Sequence, residues 1–235
     1  TIDFFAGLSP SLKALSVAKI FAHDVQLWFL PWPLAPFYDW TILPPALSHA
    51  DGLAWFGVVE LGVIIALAFR VRRRAPILSL GLAAALIPLI PVLHLLPLPV
   101  GAADRFLFLP SIGATLATAV GFAALSRHRK TLATLLAGAV LLALGSWTLI
   151  RNTHWQSDRR LQSQVVADYP QAFSGHYNLG KLFLKAGETE KALHAFDRAE
   201  RCLPGLQTTA TWRAATLRAL GRKPMKKHLQ RQHVQ

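Results

Sequence analysis

An aspartate and an arginine stand side by side in GAADRFLFLPSIG (residues 101–113), between two long apolar runs. The guanidinium of Arg105 has the fork geometry that matches phosphate oxygens. Asp104 can orient that guanidinium or hold a hydroxyl group. The plainer alternative is a local ion pair, with Arg105 snorkelling to set the depth of the next helix. Two more carboxylates, Asp24 and Asp39, are available to take a proton from an attacking hydroxyl; neither sits in a known catalytic motif. With His23 and Asp104 they could line an acidic cavity, but their spacing specifies no metal site. Glu60 and His94 fall inside apolar runs. A carboxylate in mid-bilayer costs about 2.5 kcal/mol or more if it behaves like Asp, so Glu60 should face protein or a cavity.

The elements that would position these residues are membrane helices. The 235 residues are 53% hydrophobic with a mean hydropathy of +0.36, too apolar for an ordinary soluble domain. Four runs, at 52–69, 75–97, 107–126 and 131–150, are long enough to cross a bilayer. A fifth, 11–30, is interrupted by Lys19, His23 and Asp24, and either spans or lies at the interface. Arg70, Arg72, Arg73 and Arg74 fill one turn; Arg127, His128, Arg129 and Lys130 fill another. Basic turns stay cytoplasmic, and alternation puts both on one side. The loop at 31–51, the Asp104 segment and everything after residue 150 then face the other side. A bacterial inner membrane, with the C-terminal part in the periplasm or otherwise outside the cytoplasm, is the expected location. The single cysteine, Cys202, rules out an intrachain disulfide.

After residue 150 the chain repeats itself. Pro170 and Pro204 are 34 residues apart, as are Gly187 and Gly221, which is the tetratricopeptide period. Leu179, Gly180, Phe183, Gly187, Ala192, Phe196, Ala199 and Pro204 follow the pattern. Small residues let two helices approach, the phenylalanines fill the space beside them, and the glycine and proline suit the turns. The expected fold is all-α: a polytopic membrane domain of four to five spans (1–150), an exit segment and half-repeat helix (151–172), an extracytoplasmic tetratricopeptide hairpin (173–206), and a degenerate cap with a basic tail (207–235). Arg151, Asn152, His154 and Trp155 read as an interface anchor at the end of the last span. His176, Asn178 and Lys181 are candidates for a partner-binding surface. The tail, at formal net charge +13 for the whole chain, suits anionic lipid or an acidic partner; nucleic acid is not expected.

The order of WPLAPFYDW (32–40), ADRFLFLPSIG (103–113), RNTHW (151–155) and a following repeat resembles the transmembrane and tetratricopeptide-repeat protein family, over roughly residues 14–205. In animals its members look like lumenal O-mannosyltransferases. The resemblance implies a multi-spanning glycosyltransferase fold with a polyprenyl-phosphate sugar as donor. It also implies a main catalytic carboxylate in a first outer loop, in an N-terminal half that this chain does not contain. Two functions follow. The first is a membrane-anchored scaffold or accessory subunit that packs against other membrane or extracytoplasmic subunits and presents its repeat outside. The alternative is the C-terminal part of a lipid-linked-sugar O-glycosyltransferase. About three stacked repeats are usually needed for stability. Residues 151–235 expressed alone are therefore expected to melt broadly in circular dichroism; a sharp cooperative transition would refute this.

Overall fold

A computed structural model describes residues 5, 7–91 and 102–221. Among them the chain is all-α and divides into two compact units, Thr1–His154 and Trp155–Gln235.

In the first unit, α1 (Pro10–Phe29) starts where the Ser9 hydroxyl accepts the Leu12 N–H and Pro10 occupies the first turn. Leu15, Ala18, Phe21, Ala22 and Val25 recur at helical spacing and are buried. α2 (Gly52–Val71) is capped by Asp51, which accepts from the Ala54 N–H at 3.1 Å and also binds Lys19 of α1 at 2.8 Å. The two helices approach at Gly57: a Cβ there would stand 1.9 Å from the Ala18 carbonyl oxygen. α3 (Pro76–Leu86) continues as a short 3-10 turn, Ile87–Leu89. A second 3-10 turn, Asp104–Leu107, leads into α4 (Phe108–His128), and Arg129 alone separates α4 from α5 (Lys130–His154).

α3 and α4 pack backbone to backbone. A Cβ on Gly113 would lie 2.2 Å from the Ala85 nitrogen and 2.5 Å from the Gly81 carbonyl oxygen; one on Gly81 would lie 2.8 Å from the Ala117 nitrogen. Each helix therefore brings a Gly-x-x-x-Ala face, 81–85 and 113–117, the small-residue spacing that lets membrane helices close up.

Three helices are long and apolar enough to span a bilayer: Gly52–Val71, Asp104–His128 and Lys130–His154. Their sides carry exposed Val59, Val63, Phe69, Leu135, Leu141, Leu142 and Leu149, an apolar surface suited to lipid. Among the described residues, three of the four to five expected spans meet this measure in full. α1 does not qualify, because Lys13, Lys19 and Asp24 interrupt it and most of its middle is buried in protein. The run 75–97 is helical from Pro76 to Leu89 and turns at Ile90 and Pro91; residues 92–97, with His94, lie outside the described residues.

The second unit consists of α6 (Asp158–Asp168), α7 (Phe173–Lys185), α8 (Thr189–Cys202) and α9 (Gln207–Ala219). Gly187, at φ +78°, ends α7 in the left-handed conformation that glycine tolerates. α8 then folds back so that Gly180 meets the ring of Phe196, where a Cβ would stand 2.7 Å away. Leu179, Ala192, Phe196 and Ala199 are buried between the helices. Arg159 of α6 forks onto Glu188 and lies over the Phe183 ring, joining α6 to this hairpin. Most of the basic tail lies outside the described residues.

Among the candidates for a partner surface, His176 requires correction. It is buried, and its Nε2 donates to the Pro170 carbonyl at 2.9 Å, so it fixes the start of α7. Asn178 is half-buried; Lys181 is exposed over the Tyr177 and Trp212 rings.

Two outcomes follow. Gly113→Leu should destabilise the detergent-solubilised protein by about 2 kcal/mol through overpacking, read as a lowered thermal transition. Gly121→Leu, at a glycine with open space, should leave it unchanged. Burial holds the His176 pKa below the ordinary imidazole value of 6.5, against the raising effect of its bond to Pro170 and alongside the charges of Arg198, His194 and Arg201. A depressed folded-state pKa means that this stabilisation is complete above the unfolded value and is lost as pH falls through and below it. Protection of α7 amides from exchange, corrected for intrinsic rates, should therefore fall between pH 7.5 and 5.5, and the fall should shrink in His176→Gln.

Candidate functional site

Four parts of the first unit converge on Asp104. The 3-10 turn places its carboxylate at the head of α4, a quarter exposed. The Tyr38 hydroxyl donates to Oδ1 at 2.8 Å. Tyr38 is itself buried, and its backbone N–H donates to the Ala102 carbonyl at 2.7 Å, an isolated bridge that ties the 31–51 loop beside the Asp104 turn. The Ala35 N–H donates to the same hydroxyl at 3.2 Å. From the far end of α5, Arg151 brings Nη2 to 3.6 Å from Asp104 Oδ2. A one-residue turn at Arg129 makes α4 and α5 a hairpin, and this pair marks where its two open ends meet.

α1 supplies the fourth part. The His23 ring meets the edge of Tyr38 at a 4.4 Å centroid distance, and its Nδ1 lies 3.8 Å from the buried Asp24 carboxylate. Two carboxylates, a guanidinium, an imidazole and a phenol thus share one partly buried volume, where each charge is felt more strongly than in water. Trp147 holds α5 against the loop through an Nε1 bond to the Pro31 carbonyl at 2.8 Å.

The predicted residues divide. Asp104 and Asp24 join the cluster. Asp39, next to Tyr38, shapes the turn after it: its Oδ1 accepts from the N–H groups of Thr41 and Ile42. Arg105 is exposed and lies over the Phe106 ring, 4.9 Å from its centroid, so the Asp104–Arg105 pairing gives way to Asp104–Arg151. Adjacent residues at a helix start project in different directions, and this explains the change. Glu60 stays in mid-α2 with Oε2 buried and unbonded among the described residues. Sequence reasoning missed Arg151 and Tyr38 as site residues. Arg151 was read as a headgroup anchor, but it is 8% exposed. The one signal for it was a lone arginine at the end of a span, facing a lone aspartate at the start of its neighbour.

No family model and no solved structure matches the chain. It is 30% identical over 210 residues to the human protein O-mannosyl-transferase TMTC4, covering 83% of this chain and 28% of that protein. The mouse TMTC4 gives 30% over 206 residues, 82% and 27%, and the Drosophila melanogaster protein O-mannosyl-transferase Tmtc2 gives 30% over 139 residues, 57% and 14%. The chain spans little more than a quarter of the length of the two mammalian relatives. Across most of its own length, it is similar to proteins named as protein O-mannosyl-transferases.

Proposed function

We propose that this chain is part of a membrane glycosyltransferase that moves a sugar, mannose by similarity, from a polyprenyl-phosphate carrier to a protein hydroxyl. The similarity to O-mannosyl-transferases over more than four-fifths of the chain carries this reading. It favours a transferase over a pure scaffold. The Asp104 cluster supports it, because it gathers a carboxylate, a phenol and a guanidinium at a span end, where a lipid-borne phosphate and an acceptor hydroxyl would meet.

In the reaction, the acceptor oxygen forms a bond to the anomeric carbon while the bond from that carbon to the phosphate oxygen breaks. The phosphate leaves with the electron pair, and the acceptor proton passes to a carboxylate. Asp24, held against His23, is the cluster's choice for that proton; Asp39 is committed to its turn. Asp104 is a positioning residue, since its carboxylate orders Tyr38 and faces Arg151. The basic turns at 70–74 and 127–130 would lie on the cytoplasmic side. The cluster and the start of the second unit would then lie on the opposite face, and the second unit, a tetratricopeptide-type hairpin, would present the acceptor.

Membranes holding the complete protein, supplied with polyprenyl-phosphate mannose and an acceptor peptide, test this. Asp104→Asn should lower transfer roughly 10- to 100-fold, the worth of one charge-assisted contact. Tyr38→Phe should lower it less, and Glu190→Gln, on the exposed side of α8, should leave it unchanged. No transfer by the unaltered protein from any polyprenyl-phosphate sugar would sink the reading.

A further inference from the structure

The cluster contains a cation that its neighbours do not satisfy. Arg151 is more than nine-tenths buried, yet its Nη2 makes no hydrogen bond among the described residues. Its ion-pair partner stands at 3.6 Å, beyond hydrogen-bond reach, with the other carboxylate oxygen taken by Tyr38. Leaving a buried guanidinium N–H unbonded is costly, so an oxygen-rich anion that reached Nη2 would supply a bond that no described neighbour makes. The surroundings say which anion. Arg151 and Asp104 lie at the open end of the α4–α5 hairpin, the level at which a bilayer presents phosphate. Phe108, Leu109 and Ile112 in the first turns of α4 and Leu149 and Ile150 in the last turns of α5 are all more than half exposed. A charged head at Arg151 and an alkyl chain along these side chains fit one molecule.

We infer that Arg151, and not Arg105, is the residue that holds a phosphate ester in this site, with the attached lipid chain lying along the exposed apolar ends of α4 and α5. Arg105, exposed and stacked on Phe106, contributes to anchoring only. The inference rests on the transferase reading for the identity of the ligand and not for the existence of the anion site. Asp104 faces the same guanidinium at 3.6 Å as an ion pair without a hydrogen bond, so a phosphate that enters takes up an N–H that Asp104 leaves unbonded.

Binding to the purified chain in detergent tests this, with geranylgeranyl phosphate, geranylgeraniol and inorganic phosphate as probes and native mass spectrometry as the readout. Geranylgeranyl phosphate should bind, and Arg151→Gln should weaken it about tenfold or more. Arg105→Gln should stay within about twofold, because an exposed charge contributes little. Asp104→Asn should bind at least as well as the unaltered chain. If Arg151→Gln lowers the thermal transition, Arg151→Lys replaces it; it keeps the charge, loses the fork and should still weaken binding. Unchanged binding in the Arg151 variants, or equal binding of geranylgeraniol, would overturn the inference. Inorganic phosphate binding as tightly as the lipid, and lost in Arg151→Gln, would keep the phosphate site and assign it to the free anion. The transfer assay separates the two readings. Sugar transfer that survives Arg151→Gln removes this site and leaves the transferase; Arg151-dependent binding without any transfer does the reverse.

Discussion

The contact between Asp104 and Arg151 joins the start of α4 to the end of α5. Much of the first unit depends on it. α5 is apolar and exposed along most of its length, so few side chains hold it in place. Its one-residue turn fixes it at one end, and Arg151, with Trp147 on the Pro31 carbonyl, fixes it at the other. The same aspartate accepts from Tyr38, which brings the loop and α1 to the same spot. Shortening Asp104 therefore changes how α1, the loop, α4 and α5 are held, as well as any chemistry.

The membrane helices were legible because a span must be long, apolar and free of charge. That signal needs no partner to be read. The packed face of the second unit's helices was legible for a similar reason: small and apolar residues at helical spacing show in one chain, and Leu179, Ala192, Phe196 and Ala199 occupy buried positions. The glycine pairing of α3 and α4 was not read, since small residues look the same whether they face a helix or lipid. The site was half legible. Asp104 stood out as a charge between apolar runs. Its partner did not, because Arg151 lies 47 residues away, and an arginine at a span end is ordinarily a lipid anchor. Arg105 was the obvious neighbour in sequence, yet the turn into α4 sends it outward over Phe106. His176 misled in the other direction: a polar residue on a repeat helix suggested a partner, and it is a buried residue that fixes a helix start.

The two units solve different problems with similar means. In the first, close approach of helices is bought with glycine and alanine, and the polar groups gather at one end. In the second, Gly180 admits Phe196, and charge-paired residues such as Arg159, Glu188 and Lys191 surround the hairpin. Polar groups at a membrane helix end have to find one another, whereas those on a water-facing hairpin can be satisfied by solvent. This is why the buried, unbonded guanidinium of the first unit carries more information than the surface ion pairs of the second.

Backbone contact at Gly81 and Gly113 leaves no side-chain cushion between α3 and α4. The pair therefore packs as one plate and not as two rods. A bilayer thinner or thicker than the plate prefers is met by tilting the whole plate. Asp104, fixed to its edge, is carried up or down with it. Lipid composition would in this way set how far the polar cluster stands from the water, without touching any residue in it.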